Sequence, residues 1–89
     1  MEMWERVKAI RDSEDLGRTL WGRKIGVSKK TLDGIEQKGS TPNGDTLAAI
    51  CSNYPQYTLW LMTGQTDPAA GQISPMMEEQ RRAANSRTE

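Results

Sequence analysis

Basic and amide side chains that can bond to nucleic acid are concentrated in one run of the chain, from Arg18 to Lys38. The run carries six lysines and arginines against two acidic residues, Asp33 and Glu36. Lysine and arginine bind phosphate oxygens and the O6 and N7 atoms of guanine, and glutamine bonds to the edge of adenine. Charge alone favours an ordinary solvated surface, so the order of residues within the run has to decide what it does.

The composition argues against an enzyme, a metal site and a cofactor. There is no histidine and a single cysteine, Cys51, which removes the commonest general base and the usual zinc ligands. No serine stands in a G-x-S-x-G setting, and no glycine-rich phosphate loop is present. The net charge is zero because acidic residues flank the basic run, and no apolar stretch has the length of a membrane span. We therefore expect a cytoplasmic, non-enzymatic protein with no membrane contact and no small-molecule ligand.

The apolar periodicity predicts an all-α protein with five short helices and a polar C-terminal tail. The helices are expected at residues 2–13, 16–25, 29–37, 45–52 and 57–63. Gly26 and Gly64 are suited to end two of them. A length of 89 residues suits one domain, which we place at residues 1–64. Residues 65–89 are expected to be a linker and tail, either disordered or carrying a short helix from Pro75 to Asn85.

The second and third of these helices meet the requirements of a helix-turn-helix. Gly22 supplies a small residue where the third helix crosses the second, and Gly26 supplies a turn residue that tolerates a positive φ. Ser28 is a good N-cap, and Leu32 and Ile35 are spaced to anchor the third helix on the core. This combination is far more specific than a basic cluster, and it predicts that the third helix reads the major groove of DNA.

These residues resemble the lambda-repressor-like helix-turn-helix family, which includes Cro-type and XRE-type transcriptional regulators. The resemblance covers about residues 3–64. It includes Glu36 followed by a turn and Pro42, and the run YTLWLMTG at 57–64, which is similar to the family's closing helix. Arg11 stands where the family commonly has a helix-one arginine that pairs with the Glu36 position. The resemblance implies a five-helix DNA-binding domain and, most closely, a small phage-type repressor.

Some positions depart from the family's usual pattern. Gly17 and Arg18 stand where Ser or Thr followed by Gln is usual, so Arg18 is expected to bind phosphate in place of a glutamine contact. Gly22 replaces the usual alanine, which weakens a helix by about 1 kcal/mol. Trp21 replaces a smaller aliphatic residue, and Gly39 lies one place late. We therefore expect the packing around Trp21 to differ from that of the family.

The resemblance also implies which residues face DNA. Those expected at base edges or the adjoining backbone are Ser28, Lys29, Lys30, Asp33, Gly34, Gln37 and Lys38. Because Asp33 repels phosphate, it either accepts a bond from a cytosine amino group or holds a neighbouring lysine. Thr41 and Asn43 lie in the following loop, which commonly touches the phosphate backbone in the family, although ordinary turn chemistry explains both residues equally well.

The sequence thus predicts specific binding to double-stranded DNA and regulation of transcription, as a repressor of phage or prophage type. A domain of this size rarely reaches enough specificity on one half-site, so we expect a homodimer on a palindromic operator with half-sites roughly 34 Å apart. Tyr57, Leu59 and Met62 in the fifth helix are expected to form the dimer interface. Two alternatives remain: an antitoxin or restriction-modification controller with the same fold, and a module that uses this fold to bind a protein.

Overall fold

The computed structural model describes residues 1–87, and this part of the chain forms six α-helices and no sheet. The helices are α1 (Met3–Ser13), α2 (Arg18–Ile25), α3 (Lys29–Lys38), α4 (Gly44–Asn53), α5 (Thr58–Thr63) and α6 (Pro75–Arg87). Single turns of 3₁₀-helix lie at Pro55–Tyr57 and Pro68–Ala70. The predicted all-α class is confirmed, whereas the count of five helices is too low because α6 is a sixth. Residues 88 and 89 of the predicted tail lie outside the described residues.

The core is built from one apolar side of each of the helices α1 to α5. Its buried members are Val7, Ile10, Trp21, Ile25, Leu32, Ile35, Ile50, Tyr54, Tyr57, Trp60 and Leu61. The rings of Trp21, Tyr54 and Tyr57 stack in series, with centroid distances of 6.4 and 5.9 Å. In a chain without phenylalanine, these rings supply much of the core volume. None of the described helices is both long enough and apolar enough to span a bilayer.

The turn between α2 and α3 depends on two glycines. Gly26 has a φ of 79°, a left-handed conformation that costs glycine little. The N–H groups of Gly26 and Val27 both donate to the Gly22 carbonyl, at 2.8 and 2.9 Å. A Cβ at Gly22 would lie 2.5 Å from the Val27 carbonyl oxygen, so the turn itself requires a glycine there. Ser28 then caps α3, since its Oγ accepts from the Thr31 N–H at 3.1 Å.

The fifth helix is shorter than predicted, because Pro55 starts a 3₁₀ turn and α5 begins only at Thr58. Tyr57 is 2% exposed, and its burial raises the pKa of its hydroxyl. Tyr57, predicted to contribute to a dimer interface, has its ring in the core of the chain, stacked on Tyr54, so an interface on α5 would have to use Leu59 and Met62. Leu59 is partly buried, and Met62 is 46% exposed.

The segment after α5 is folded against the rest of the chain. The Ile73 N–H donates to the Gln56 carbonyl at 2.9 Å, and Pro75 at the start of α6 is fully buried. About two turns into α6, the Arg82 Nη1 donates to the Ser13 carbonyl at 3.1 Å, at the end of α1. Of the two states left open for this segment, a short helix is the one the structure has.

Candidate nucleic-acid interface

The outer face of α3 lies opposite the buried side chains of Leu32 and Ile35, and is formed by Lys30, Gly34 and Gln37. These three residues are four and three positions apart, so they follow one another along one side of the helix. Lys30 and Gln37 are exposed, and a Cβ at Gly34 would meet only the Ser40 Oγ, at 4.0 Å. This face offers a cation, an amide and bare backbone, which are groups that can bond to base edges.

The first turn of α3 carries two exposed hydroxyls. Ser28 caps the helix, and its Oγ–H also donates to the Thr31 Oγ1 at 2.9 Å. The sequence interpretation did not single out Thr31, although its place on the first turn, three residues after the cap, was the signal that identifies it. Residues at the start of a groove-reading helix are the ones that reach base edges and phosphates. Thr31 therefore joins the candidate residues.

Asp33 lies between two cations at the edge of this face. Its Oδ2 accepts from the Lys29 Nζ at 2.8 Å, and its Oδ1 lies 2.7 Å from the Arg18 Nε. The hydrogen bond from Lys29 is the main cause that lowers the pKa of Asp33 below its ordinary value. Of the two roles predicted for Asp33, holding a neighbouring lysine is therefore present in the structure. Arg18, which was expected to point at phosphate, contacts this carboxylate instead.

Arg11 and Glu36 form a bidentate pair that ties α1 to α3. The Arg11 Nε donates to the Glu36 Oε2 at 2.7 Å, and its Nη2 donates to Oε1 at 2.6 Å. The side chains are 13% and 1% exposed, and the bond to Glu36 raises the pKa of Arg11. Arg11 also donates to the Leu16 carbonyl at 2.7 Å, just before α2. The predicted pair is confirmed, and it fixes how α3 sits on the domain.

In the loop after α3, Asn43 has a clear structural role. The Asn43 Oδ1 accepts from the Thr46 N–H at 2.8 Å and so caps α4. Thr41 and Lys38 are exposed. Lys38 is the last residue of α3, and Thr41 and Asn43 follow it in the loop.

A polar cluster that the sequence interpretation missed joins the ends of α1 and α4 to α2. The Trp21 Nε1–H donates to the Tyr54 hydroxyl at 3.0 Å, and this hydroxyl donates to the Glu14 Oε1 at 2.7 Å. Lys24 pairs with the same carboxylate, and its Nζ lies 5.3 Å from the centroid of the Tyr54 ring. The bonds from Lys24 and Tyr54 lower the pKa of Glu14. Trp21 is thus anchored by a polar bond as well as by packing.

Comparison of the sequence with known proteins identifies a relative of this chain. No protein-family model matches the chain. It is 37% identical over 75 residues to Repressor protein C of Escherichia phage P2, and the match covers 82% of this chain and 76% of the relative. The chain belongs to the family of small helix-turn-helix phage repressors. A match that covers 82% of this chain is longer than the range 3–64 of the family resemblance. The aligned region therefore extends past the end of α5 towards α6.

Proposed function

We propose that this protein binds specific sequences in double-stranded DNA through α3 and thereby represses transcription. The observation that carries the proposal is the outer face of α3, which is open to solvent while its opposite side is anchored in the core. The left-handed turn at Gly26 and the Arg11–Glu36 pair hold this helix in one orientation. The similarity to a protein named as a phage repressor supports the regulatory role.

In the proposed complex, α3 lies in the major groove, whose width of about 12 Å admits a helix. Lys30 and Gln37 bond to base edges, and Gly34 between them lets the helix backbone come close to the DNA. Ser28 and Thr31 at the start of α3 contact the adjoining backbone or bases. At the C-terminal end of α3 and in the loop that follows, a second group binds phosphate: Lys38, Thr41 and Asn43. The phosphate contacts position the protein, and the base contacts give it sequence preference.

The proposed functional unit is a homodimer on a palindromic operator. One α3 reads only a few base pairs, and two copies related by a two-fold axis double the site and place half-sites about one helical turn apart, roughly 34 Å. The candidate contact is on α5, where Met62 is 46% exposed and Leu59 is partly buried. Exposed apolar side chains of this kind commonly mark an interface.

Selection from a library of random duplexes tests this function. The wild-type protein is expected to enrich a two-fold symmetric sequence. Lys30→Ala should weaken binding to that sequence by about 5- to 150-fold, equivalent to about 1–3 kcal/mol, and should relax preference at one base pair. Lys8→Ala is the matched control, because Lys8 is a half-exposed lysine on α1.

Two outcomes contradict the proposal. Equal binding by the Lys30→Ala variant and the parent would show that α3 does not read the groove. A wild-type protein that enriches no sequence and is not retained on duplex DNA at low salt would favour the alternative of a protein-binding module.

A further inference from the structure

The two cations at the start of α2 and α3 are not free. The Asp33 carboxylate contacts both of them, with the Lys29 Nζ at 2.8 Å and the Arg18 Nε at 2.7 Å, and the Arg18 Nη1 also lies 3.6 Å from the Glu36 Oε1. By contrast, no ion pair among the described residues involves Lys30 or Lys38 on the same helix. The surface that faces DNA in the proposed complex therefore has two held cations and two free ones.

Lys29 is the member of this cluster that is most accessible to a ligand. Its side chain is 55% exposed, whereas those of Arg18 and Asp33 are each 26% exposed and the Asp33 Oδ1 is buried. The pair between Lys29 and Asp33 contributes little to stability, because solvent screens an exposed pair and ordering the side chains is costly. A phosphate that approaches Lys29 or Arg18 meets competition from the carboxylate and repulsion from its charge. The main consequence of Asp33 is thus expected in binding rather than in folding.

We propose that Asp33 determines specificity by holding Arg18 and Lys29 away from non-specific phosphate contacts. This inference rests on the proposed DNA-binding function. Phosphate contacts are independent of sequence and supply nearly all of the affinity for random DNA. A carboxylate that neutralises them selects against wrong sites, which raises the ratio of specific to non-specific binding. On the operator, base contacts along the outer face of α3 offset the cost of the competition.

Binding of a labelled random-sequence duplex at several salt concentrations tests the inference without knowledge of the operator. Asp33→Asn should bind this duplex several-fold more tightly than the parent. The slope of its plot of log affinity against log salt concentration should be more negative by about one to two, because up to two further cations displace counterions from the DNA. The ratio of affinities for a duplex from the selection and the random duplex should fall.

Asp12→Asn is the matched control for the change in charge. Asp12 pairs with Lys8 at 3.0 Å, four residues before it on α1, in the same arrangement as Lys29 and Asp33, and like Asp33 it lies near an arginine, with the Arg11 Nη2 at 3.5 Å. It is expected to change random-duplex affinity much less than Asp33→Asn does. A second comparison keeps Asp33 in place: Lys29→Gln should cost less random-duplex affinity than Lys30→Gln, since Lys29 is already neutralised.

Several results would overturn the inference. These are equal effects of Asp33→Asn and Asp12→Asn, equal losses from Lys29→Gln and Lys30→Gln, or an Asp33→Asn variant that binds both duplexes more weakly. The last of these would make Asp33 a residue that positions the cations for contact. A wild-type protein that binds no duplex even at low salt would instead contradict the proposed function itself.

Discussion

Gly34 is a residue that the fold by itself does not need. A Cβ at this position would reach only the Ser40 Oγ, at 4.0 Å, and its φ is not in the left-handed region. Gly34→Ala should therefore raise the free energy of unfolding by about 1 kcal/mol, because alanine favours a helix. The same variant should weaken operator binding, because the added methyl group holds the backbone of α3 away from the bases. Thermal melting should show the gain in stability, and duplex binding measured on the same sample should show the loss of affinity.

Gly22 provides the contrast for this test. It is also a glycine inside a helix, but its Cβ would lie 2.5 Å from the Val27 carbonyl oxygen. Gly22→Ala should lower stability, because the turn before α3 must shift. If Gly34→Ala instead stabilised the protein and left operator binding unchanged, α3 would not approach DNA at this point.

The Arg11–Glu36 pair is the residue-level contact on which the orientation of α3 depends most. Glu36→Gln keeps the shape of the side chain but removes the buried carboxylate that pairs with Arg11, which then has, among the described residues, only the exposed Asp12 carboxylate at 3.5 Å. Because breaking a buried pair is costly, we expect the free energy of unfolding to fall by about 3 kcal/mol. Asp12→Asn removes an exposed carboxylate that pairs with Lys8 and lies 3.5 Å from Arg11, and it should change this free energy by less than about 1 kcal/mol. Urea denaturation measures both, and equal effects would contradict the structural role given to Glu36.

Residues whose role is local were predictable from the sequence, and residues whose role is tertiary were less so. Ser28 was identified as a cap because a serine before a helix bonds within three residues. The Arg11–Glu36 pair was identified through the family resemblance. The contact between Arg18 and Asp33 was not predicted, because it depends on how α2 docks on α3. The burial of Tyr57 was not predicted, because an apolar periodicity does not reveal which neighbour covers a ring.

At the scale of elements, Glu14 links the end of α1 to α2 and α4, and its charge makes the link depend on pH. Its pKa is below the ordinary value of 4.5, so it adds stability above that pH. This stability is lost as pH falls through the lower folded value. Glu14→Gln should therefore be less stable than the parent at pH 7, and the difference should shrink between about pH 5 and pH 3. Urea denaturation across this pH range measures the difference in stability between the two proteins. A difference that does not change with pH would contradict this role of the Glu14 charge.

Helix α6 is an element that stabilises the domain rather than a dispensable tail. Pro75 is fully buried, Arg82 bonds to the Ser13 carbonyl, and Glu78 and Arg82 lie close enough to affect the pKa of Tyr57. Deletion of residues 75–89 should expose apolar surface and lower stability by about 2 kcal/mol, the amount typical of exposing one large apolar side chain. Arg82→Ala should lower stability by less than the deletion does. Thermal melting of both variants measures these losses, and an unchanged melting temperature for the deletion would contradict the stabilising role of α6.

The elements that carry their own start and stop signals were the ones predicted well. The α2–turn–α3 unit is defined by Gly26 and Ser28, which act within a few residues. The predicted start of α5 is one residue early, because Tyr57 belongs to the 3₁₀ turn that Pro55 begins. α6 was left open because its sequence is polar, and its attachment depends on two distant partners, Gln56 and Ser13.

At the scale of the whole molecule, the proposed dimer gives a test of which surface is paired. Met62 on α5 and Met76 on α6 are exposed to similar extents, 46% and 42%. Met62→Glu should give a folded monomer with much weaker operator binding, because a charge in an apolar interface is disfavoured. Met76→Glu should remain dimeric. Sedimentation at micromolar concentration distinguishes them, and a wild-type protein that is monomeric both free and on DNA would contradict the dimer.

The central claim is that α3 lies in the major groove of DNA, and mapping the backbone amide signals by NMR tests it most directly. The isotope-labelled protein is titrated with a duplex obtained by selection. The account predicts that the largest shifts fall on residues 28–38 and on Thr41 and Asn43, with little change along the side of α1 that carries Lys8. Shifts confined to α5 and α6, or no shift at all, would contradict it.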